Sequence, residues 1–293
     1  MTVVPIDLVH LGLSGSISSY WVDGVEPMIV DPGPSTSLNG LELGLSELGV
    51  QFSDIRHLLL THVHLDHAGG TGHLVSRFPD LQVHVHIDAA PHIVDPEKLV
   101  ASTRRTFGEA HERLWGAVLP VPKNRICAWN PETREPVPGL SALSTPGHIA
   151  HHVSYLDEYD GVLIAGDALG VILAPGAPTH PPTPPPGVNV TAWLETLDNV
   201  QTIGPSAFGV SHFGLHDGFE NRISEMRMRL LACRDRVASA LSAGDEQDRE
   251  IYETEVREVI SDFRPRDEVE AYFDIFSPAL DWDGMRFHLE RTN

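Results

Sequence analysis

Two cysteines in 293 residues, Cys127 and Cys233, leave no material for a disulfide framework, and that scarcity points to a reducing compartment. Basic residues are also few: 20 Lys and Arg stand against 41 Asp and Glu, a formal charge of −21. So acidic a chain repels polyanions, which argues against RNA and DNA as partners. Long apolar runs are missing as well. The most apolar stretch, residues 162–177, is about 16 residues long, holds Asp167 and Pro175, and cannot span a bilayer. Met1-Thr2-Val3-Val4-Pro5-Ile6-Asp7 has neither a basic start nor an apolar core, so no signal peptide is expected and a cytoplasmic location is. There is no Gly-x-Ser-x-Gly element, and neither cysteine has an activating motif beside it. A covalent nucleophile therefore has no visible support. The 41% hydrophobic content is ample for a core in one large domain or two small ones.

Histidine, by contrast, is plentiful, with 17 in the chain. Thr61-His62-Val63-His64-Leu65-Asp66-His67 packs four metal-ligand candidates into six residues. It follows Ile55-Arg56-His57-Leu58-Leu59-Leu60, which reads as a buried strand. Val63 and Leu65 alternate with the candidates, so His62, His64 and Asp66 are expected to project together from the strand end, with His67 turning back from the next loop. Ala68-Gly69-Gly70 lets the backbone pass close to a bound ion. Imidazoles and a carboxylate converging in this way suit zinc, iron or manganese. The plainer reading, a histidine-rich surface loop, fits the strand-to-loop setting less well.

This motif resembles the signature of the metallo-β-lactamase-fold hydrolases, and further elements agree with it in order. Thr145-Pro146-Gly147-His148 comes first, then Gly166-Asp167 after the apolar Val162-Leu163-Ile164-Ala165, then His212 at the end of Phe208-Gly209-Val210-Ser211. The spacings from the preceding ligand are 81, 19 and 45 residues. Thr-Pro-Gly is common turn chemistry and Gly-Asp is a common capped turn, so each element is weak by itself. The resemblance, which covers residues 6–220, implies an α/β fold, a four-layer αββα sandwich, here with a C-terminal helical extension. It divides the chain into a catalytic region, 1–220, and helices over 221–293. It also implies two divalent metal ions, zinc first with iron or manganese as alternatives. His62, His64 and His148 would hold one ion; Asp66, His67 and His212 would hold the other; Asp167 would bridge them. A carboxylate ending an apolar strand is costly to bury unpaired, and two dications would remove that cost.

Along the chain, 18–22 and 27–30 read as strands around Asp23-Gly24, Leu38 to Leu48 as a helix stopped by Gly49, and 81–86 as a strand. Asp31 is placed to anchor the ligand loop by hydrogen bonding. His84 and His86 invite a metal reading, but a strand face suits their alternation better. A helix is expected over 73–78, helical or irregular chain over 95–115, and strands over 137–143 and 153–164. Two segments lie outside the metal scaffold. Residues 174–187, rich in proline and starting seven residues after Asp167, form a stiff wall for a pocket, a rigid connector or a homodimer contact. Residues 220–241, 246–263, 268–276 and 283–289 read as helices, with Ile223, Met226, Leu230, Leu231 and Val237 as the covering face.

The resemblance implies metal-assisted hydrolysis of a small ester, lactone or thioester by a bridging hydroxide, with Asp66 passing a proton to the leaving group. Departures from individual branches narrow it. Asp167 is unlike the β-lactamases proper, and Gly170 stands where lactonases commonly carry a tyrosine, unless Tyr155 or Tyr159 is brought near. His151-His152 replaces the second Gly-His of glyoxalase II, and residues 166–170 lack the persulfide dioxygenase pattern. The proline-rich segment is similar to that of a branch with promiscuous esterase and phosphotriesterase members. The alternative on the same fold is an iron-dependent redox or ligand-sensing protein.

Overall fold

Successive side chains of a strand face opposite ways, and this alternation sorts the apolar residues of the chain into layers. The computed structural model describes residues 2–24, 26–130 and 136–292. Six strands form the first sheet in sequence order: β1 (Thr2–Asp7), β2 (Ser18–Asp23), β3 (Met28–Val30), β4 (His57–Leu59), β5 (Gln82–His86) and β6 (Ile126–Trp129). The first three pair antiparallel, and β3 to β6 run parallel. The second sheet holds β7 (Leu140–Ser144), β8 (Val153–Asp157), β9 (Val162–Ile164), β10 (Ala207–Val210) and β11 (Gly214–His216), in the order β11-β10-β9-β8-β7.

Tyr20 and Val22 of β2, Val30 of β3 and Leu59 of β4 face Val153, Tyr155 and Ile164 of the second sheet, giving the core between the sheets. The intervening residues Trp21, Ile29 and Leu58 turn outward. They pack with Leu41 and Leu45 of α1 (Leu38–Glu47) and, past the short α2 (Leu65–Ala68), with Leu74 of α3 (Thr71–Arg77). Three further helices, α4 (Ala90–Val94), α5 (Glu97–Phe107) and α6 (His111–Trp115), continue this side. On the far side, Leu163 and Phe208 pack with Trp193 and Leu197 of α7 (Val190–Ile203). The order helix, sheet, sheet, helix is the expected four-layer sandwich. Two tyrosines tie its sheets together. The Tyr20 hydroxyl donates to the Val210 carbonyl at 2.6 Å, and the Tyr155 hydroxyl donates to the Leu60 carbonyl at 2.8 Å.

The C-terminal residues are helical, as the sequence predicts, in four elements: α8 (Phe219–Ala243), α9 (Asp248–Ser261), α10 (Arg266–Phe273) and α11 (Pro278–Thr292). Ile223, Met226, Leu230 and Val237 recur at helical spacing on α8 and are buried in the core they share with Leu163 and Phe208, while Leu231 is only half-buried. Trp282 and Met285 of α11 join the same core. The proline-rich chain lies against α11, where any side chain at Gly284 would collide with the Thr183 carbonyl. No helix among the described residues is long and apolar enough to cross a membrane.

Candidate metal centre

The ligand loop departs from the expected extended projection. Strand β4 stops at Leu59, Leu60 to His64 form a loop, and Leu65 opens a short helix, so Asp66 and His67 come from a helical turn. Helical rise brings these two consecutive residues to the cluster from one side while His62 and His64 reach it from the loop. Asp31 anchors both parts. Its Oδ1 accepts the Thr61 backbone N–H at 2.8 Å; its Oδ2 accepts the Thr61 hydroxyl at 2.6 Å and the His67 Nδ1–H at 2.9 Å. That satisfies a buried carboxylate and fixes the imidazole tautomer together.

The seven metal-ligand candidates of the sequence meet here. His62, His64 and His148 form one group, Asp66, His67 and His212 another, and His62, His67 and Asp167 a third between them; within each group the candidate ligand atoms lie within 4.8 Å of one another. Asp167 Oδ2 is 3.3 Å from His148 Nε2, 3.4 Å from His67 Nε2 and 3.9 Å from His62 Nε2, while Oδ1 is 4.0 Å from His212 Nε2. Asp66 Oδ2 is 3.4 Å from His67 Nε2 and 3.3 Å from His212 Nε2. One carboxylate thus touches both outer groups.

The outward ring nitrogens are committed elsewhere. The Nδ1–H of His148 donates to the Pro182 carbonyl at 2.9 Å, and that of His212 donates to the Ser16 carbonyl at 2.7 Å. Each leaves Nε2 facing inward. His152, which the sequence left without a role, accepts the Asp167 backbone N–H at Nε2 (3.1 Å) and pairs through Nδ1 with the Thr145 hydroxyl (2.8 Å). Its neighbour Gly166 has a φ of 58°, and a Cβ there would lie 2.6 Å from His152 Nε2. Glycine is required at this turn both by conformation and by space.

The donor set suits cations. His62 Nε2, His67 Nε2 and Asp167 Oδ1 are buried and have no hydrogen-bond partner among the described residues. Such atoms cost about 1–3 kcal/mol each when left unpaired. Burial, helped by His67 and neighbouring rings, holds His62 well below the ordinary histidine range, and burial with His148 pushes His64 down to about 3. Both imidazoles are therefore uncharged at neutral pH, and His64 Nδ1 lies 2.9 Å from His148 Nε2. Burial alone would raise Asp66 and Asp167, but His67 together with His212, joined by His148 at Asp167, outweighs it and holds both carboxyls low. His67 moves the other way: burial lowers it, and Asp167 with Asp66 more than reverses that. Without metal, a proton on His67 supplies the positive charge that these carboxylates attract.

A cavity of about 300 Å³ opens on the cluster, reached by His64, Asp66, His148, Asp167 and His212. Pro182, Pro184, Pro185 and Pro186 form one wall. Leu99 and Phe107 of α5 and Trp115 of α6 form another, and Tyr272 of α10, Ile275 and Phe276 after it, and Leu280 and Asp281 of α11 close the roof. Tyr155 is spent between the sheets and Tyr159 is 67% exposed, so neither substitutes for the missing tyrosine near Asp167. His216 bonds the Phe213 carbonyl and lies outside the lining, as does Asp217. His84 pairs at 2.9 Å with His57, which bonds Glu26, away from the cluster. Tyr272, His180 and Asp281 reach the cavity although the sequence did not mark them as site residues.

Two stacked sheets flanked by helices, with histidines and aspartates gathered beyond the strand ends, define an αββα fold built to hold divalent metal. The chain belongs to the metallo-beta-lactamase superfamily, whose family model matches residues 14–212. It is 27% identical over 158 residues to the probable metallo-hydrolase MJ0888 of Methanocaldococcus jannaschii, covering 54% of this chain and 69% of that one. The matches take in between 40% and 69% of the length of this and the next four curated relatives. Among solved structures, the metallo-beta-lactamase family protein TTHA1429 of Thermus thermophilus superposes with a TM-score of 0.67 at 23% identity, over 99% of this chain and 92% of its own. TTHA1623, solved in a di-iron-bound form, superposes with a TM-score of 0.50 at 24% identity, over 71% and 93%.

Proposed function

We propose that the protein is a binuclear metal-dependent hydrolase acting on a small ester, lactone or thioester. The observation that carries this reading is the position of Asp167, whose carboxylate lies within 4.0 Å of Nε2 atoms from both outer histidine groups. His62, His64 and His148 would hold one ion, Asp66, His67 and His212 the other, with Asp167 shared between them. When bound, such ions supply Lewis-acid chemistry, making water more acidic and polarising an acyl oxygen. The chain's own residues do the rest. Asp31, Pro182 and Ser16 orient the imidazoles, the aromatic and proline walls exclude water from the acyl group, and Asp66, facing the cavity, is the carboxylate placed to relay a proton.

Zinc is the first expectation. Iron and manganese stay in the assay because imidazole–carboxylate sites accept all three and the similar fold of TTHA1623 is described with iron. The test is elemental analysis of protein purified without chelator, followed by esters, lactones, thioesters and phosphotriesters. Turnover of an acyl substrate that tracks two equivalents of metal supports the reading. Oxygen consumption by iron-loaded protein, with no hydrolysis across the panel, replaces it with the redox alternative.

A further inference from the structure

The cavity contains a second arrangement of titratable side chains that the metal-ligand set does not use. His180 and Asp281 both line it, and His180 Nε2 lies 2.7 Å from Asp281 Oδ2. Oδ1 of the same carboxylate accepts the Thr183 backbone N–H at 2.6 Å, and the Thr183 hydroxyl donates to the Asp281 carbonyl at 2.9 Å. His180 is fixed from its other side by a pair of backbone hydrogen bonds with Val171, 2.8 and 2.9 Å, four residues after Asp167. Phe273 of α10 and Tyr252 of α9 flank its ring, with centroids 6.0 and 6.5 Å away. Asp281 and Tyr252 are the titratable groups in these contacts with His180. With Nε2–H donated to Asp281, the remaining nitrogen, Nδ1, makes no hydrogen bond to any described residue. An imidazole oriented by a carboxylate, on a residue that lines the cavity and with one nitrogen making no hydrogen bond to the described residues, has the layout of an acid–base group.

We propose that His180, oriented by Asp281, protonates the leaving group of the substrate; this rests on the hydrolase reading above. As the oxygen of water bonds to the acyl carbon, the bond from that carbon to the leaving oxygen breaks and its electron pair stays on that oxygen. The oxygen takes the proton from His180 Nδ1. The proton released by the attacking water returns to His180 through solvent, so ester and water give acid and alcohol. Asp66 is the rival donor, but its Oδ2 lies between His67 and His212. The substrate class implied is an ester or lactone of an ordinary alcohol, whose alkoxide is too basic to leave without a proton.

The test compares 4-nitrophenyl butanoate, whose leaving group needs no proton, with butyl butanoate, whose leaving group does. His180→Gln keeps an N–H for Asp281 but has no proton to give. It should lose about 100-fold in kcat on the butyl ester and less than about threefold on the nitrophenyl ester, with metal content unchanged. Asp281→Asn, which weakens the orientation while leaving the acid, should lose about tenfold on the butyl ester alone; it serves if the first variant fails to fold. Equal losses on both esters, or none on either, overturn the proposal while the hydrolase reading stands. A wild type that cleaves only the nitrophenyl ester also overturns it. A wild type that cleaves neither acyl ester nor any other panel member removes the hydrolase reading and the proposal together.

Discussion

The Nδ1–H of His148 donates to the carbonyl of Pro182 at 2.9 Å, which makes the proline-rich segment and the histidine cluster a single hydrogen-bonded unit. The wall of the cavity is therefore also a support of the centre. Changes to one are expected to be felt by the other, in amounts that depend on which atoms are removed.

Asp167→Asn should leave the fold intact and abolish a stable two-metal centre. A neutral amide cannot offset two dications, and kcat/KM should fall by more than about 100-fold, beyond the usual effect of losing a supporting residue. Elemental analysis showing two equivalents of metal with unchanged turnover would remove Asp167 from its bridging position.

Asp31→Ala should weaken metal binding about 10- to 100-fold, since His67 loses its orienting acceptor. It should also lower Tm, because the buried Thr61 N–H loses its partner, at a cost of about 1–3 kcal/mol. His84→Ala is the control, expected to leave metal content unchanged because its ring pairs with His57. Chelator competition on both variants checks the pair; greater metal loss in His84→Ala would contradict the division between ligands and strand-face histidines.

Replacing Pro184-Pro185-Pro186 with Gly-Ser-Gly should raise KM about tenfold or change substrate preference while both metals stay bound. The stiff segment presents its wall without further ordering, and a flexible one loses about 0.5–1.5 kcal/mol for each side chain it must fix. Kinetics across an ester panel decide it. Flat selectivity together with a shifted mass on gel filtration would make the segment an interface.

The metal-free protein should lose stability as pH falls from about 6.5 to about 4. Burial pushes His10 down to about 4, and burial with His92 does the same to His151. Unfolded chains take up these protons from near pH 6.5 downward while the folded protein does not, so the unfolded state gains as pH drops through that window. Tm measured every half unit should decline there, and the decline should shrink in His151→Gln. A flat profile would show that these rings are not held neutral.

The candidate metal residues, which the fold brings together, were legible because coordination chemistry restricts both residue type and spacing. His62 to His67, His148, Asp167 and His212 carry their meaning within short motifs. His180 was not, because it lies in a proline-rich run whose only sequence message is stiffness, and its partner is 101 residues away on α11. Their pairing depends on how the C-terminal helices dock, which no local pattern encodes. Helix α7 is a different kind of omission. Asn189 caps it by accepting the Ala192 N–H at 3.1 Å, Gly204 ends it in the left-handed conformation, and Trp193, Leu197 and Val200 mark its buried face. Those signals are local, but the adjoining prolines and glycines of 174–187 masked them. The ligand loop shows the limit of alternation as a guide, since Leu65 starts a turn of helix where the pattern suggested continued strand.

Gly284 does not line the cavity, yet it sets how closely the proline segment can approach α11, because the Thr183 carbonyl occupies the space a side chain would need. The dimensions of the cavity are thus set partly from outside it. One methyl group added at that position would force the backbone of Thr183 to Pro185 and α11 apart, and so reshape the proline wall with every wall residue unchanged.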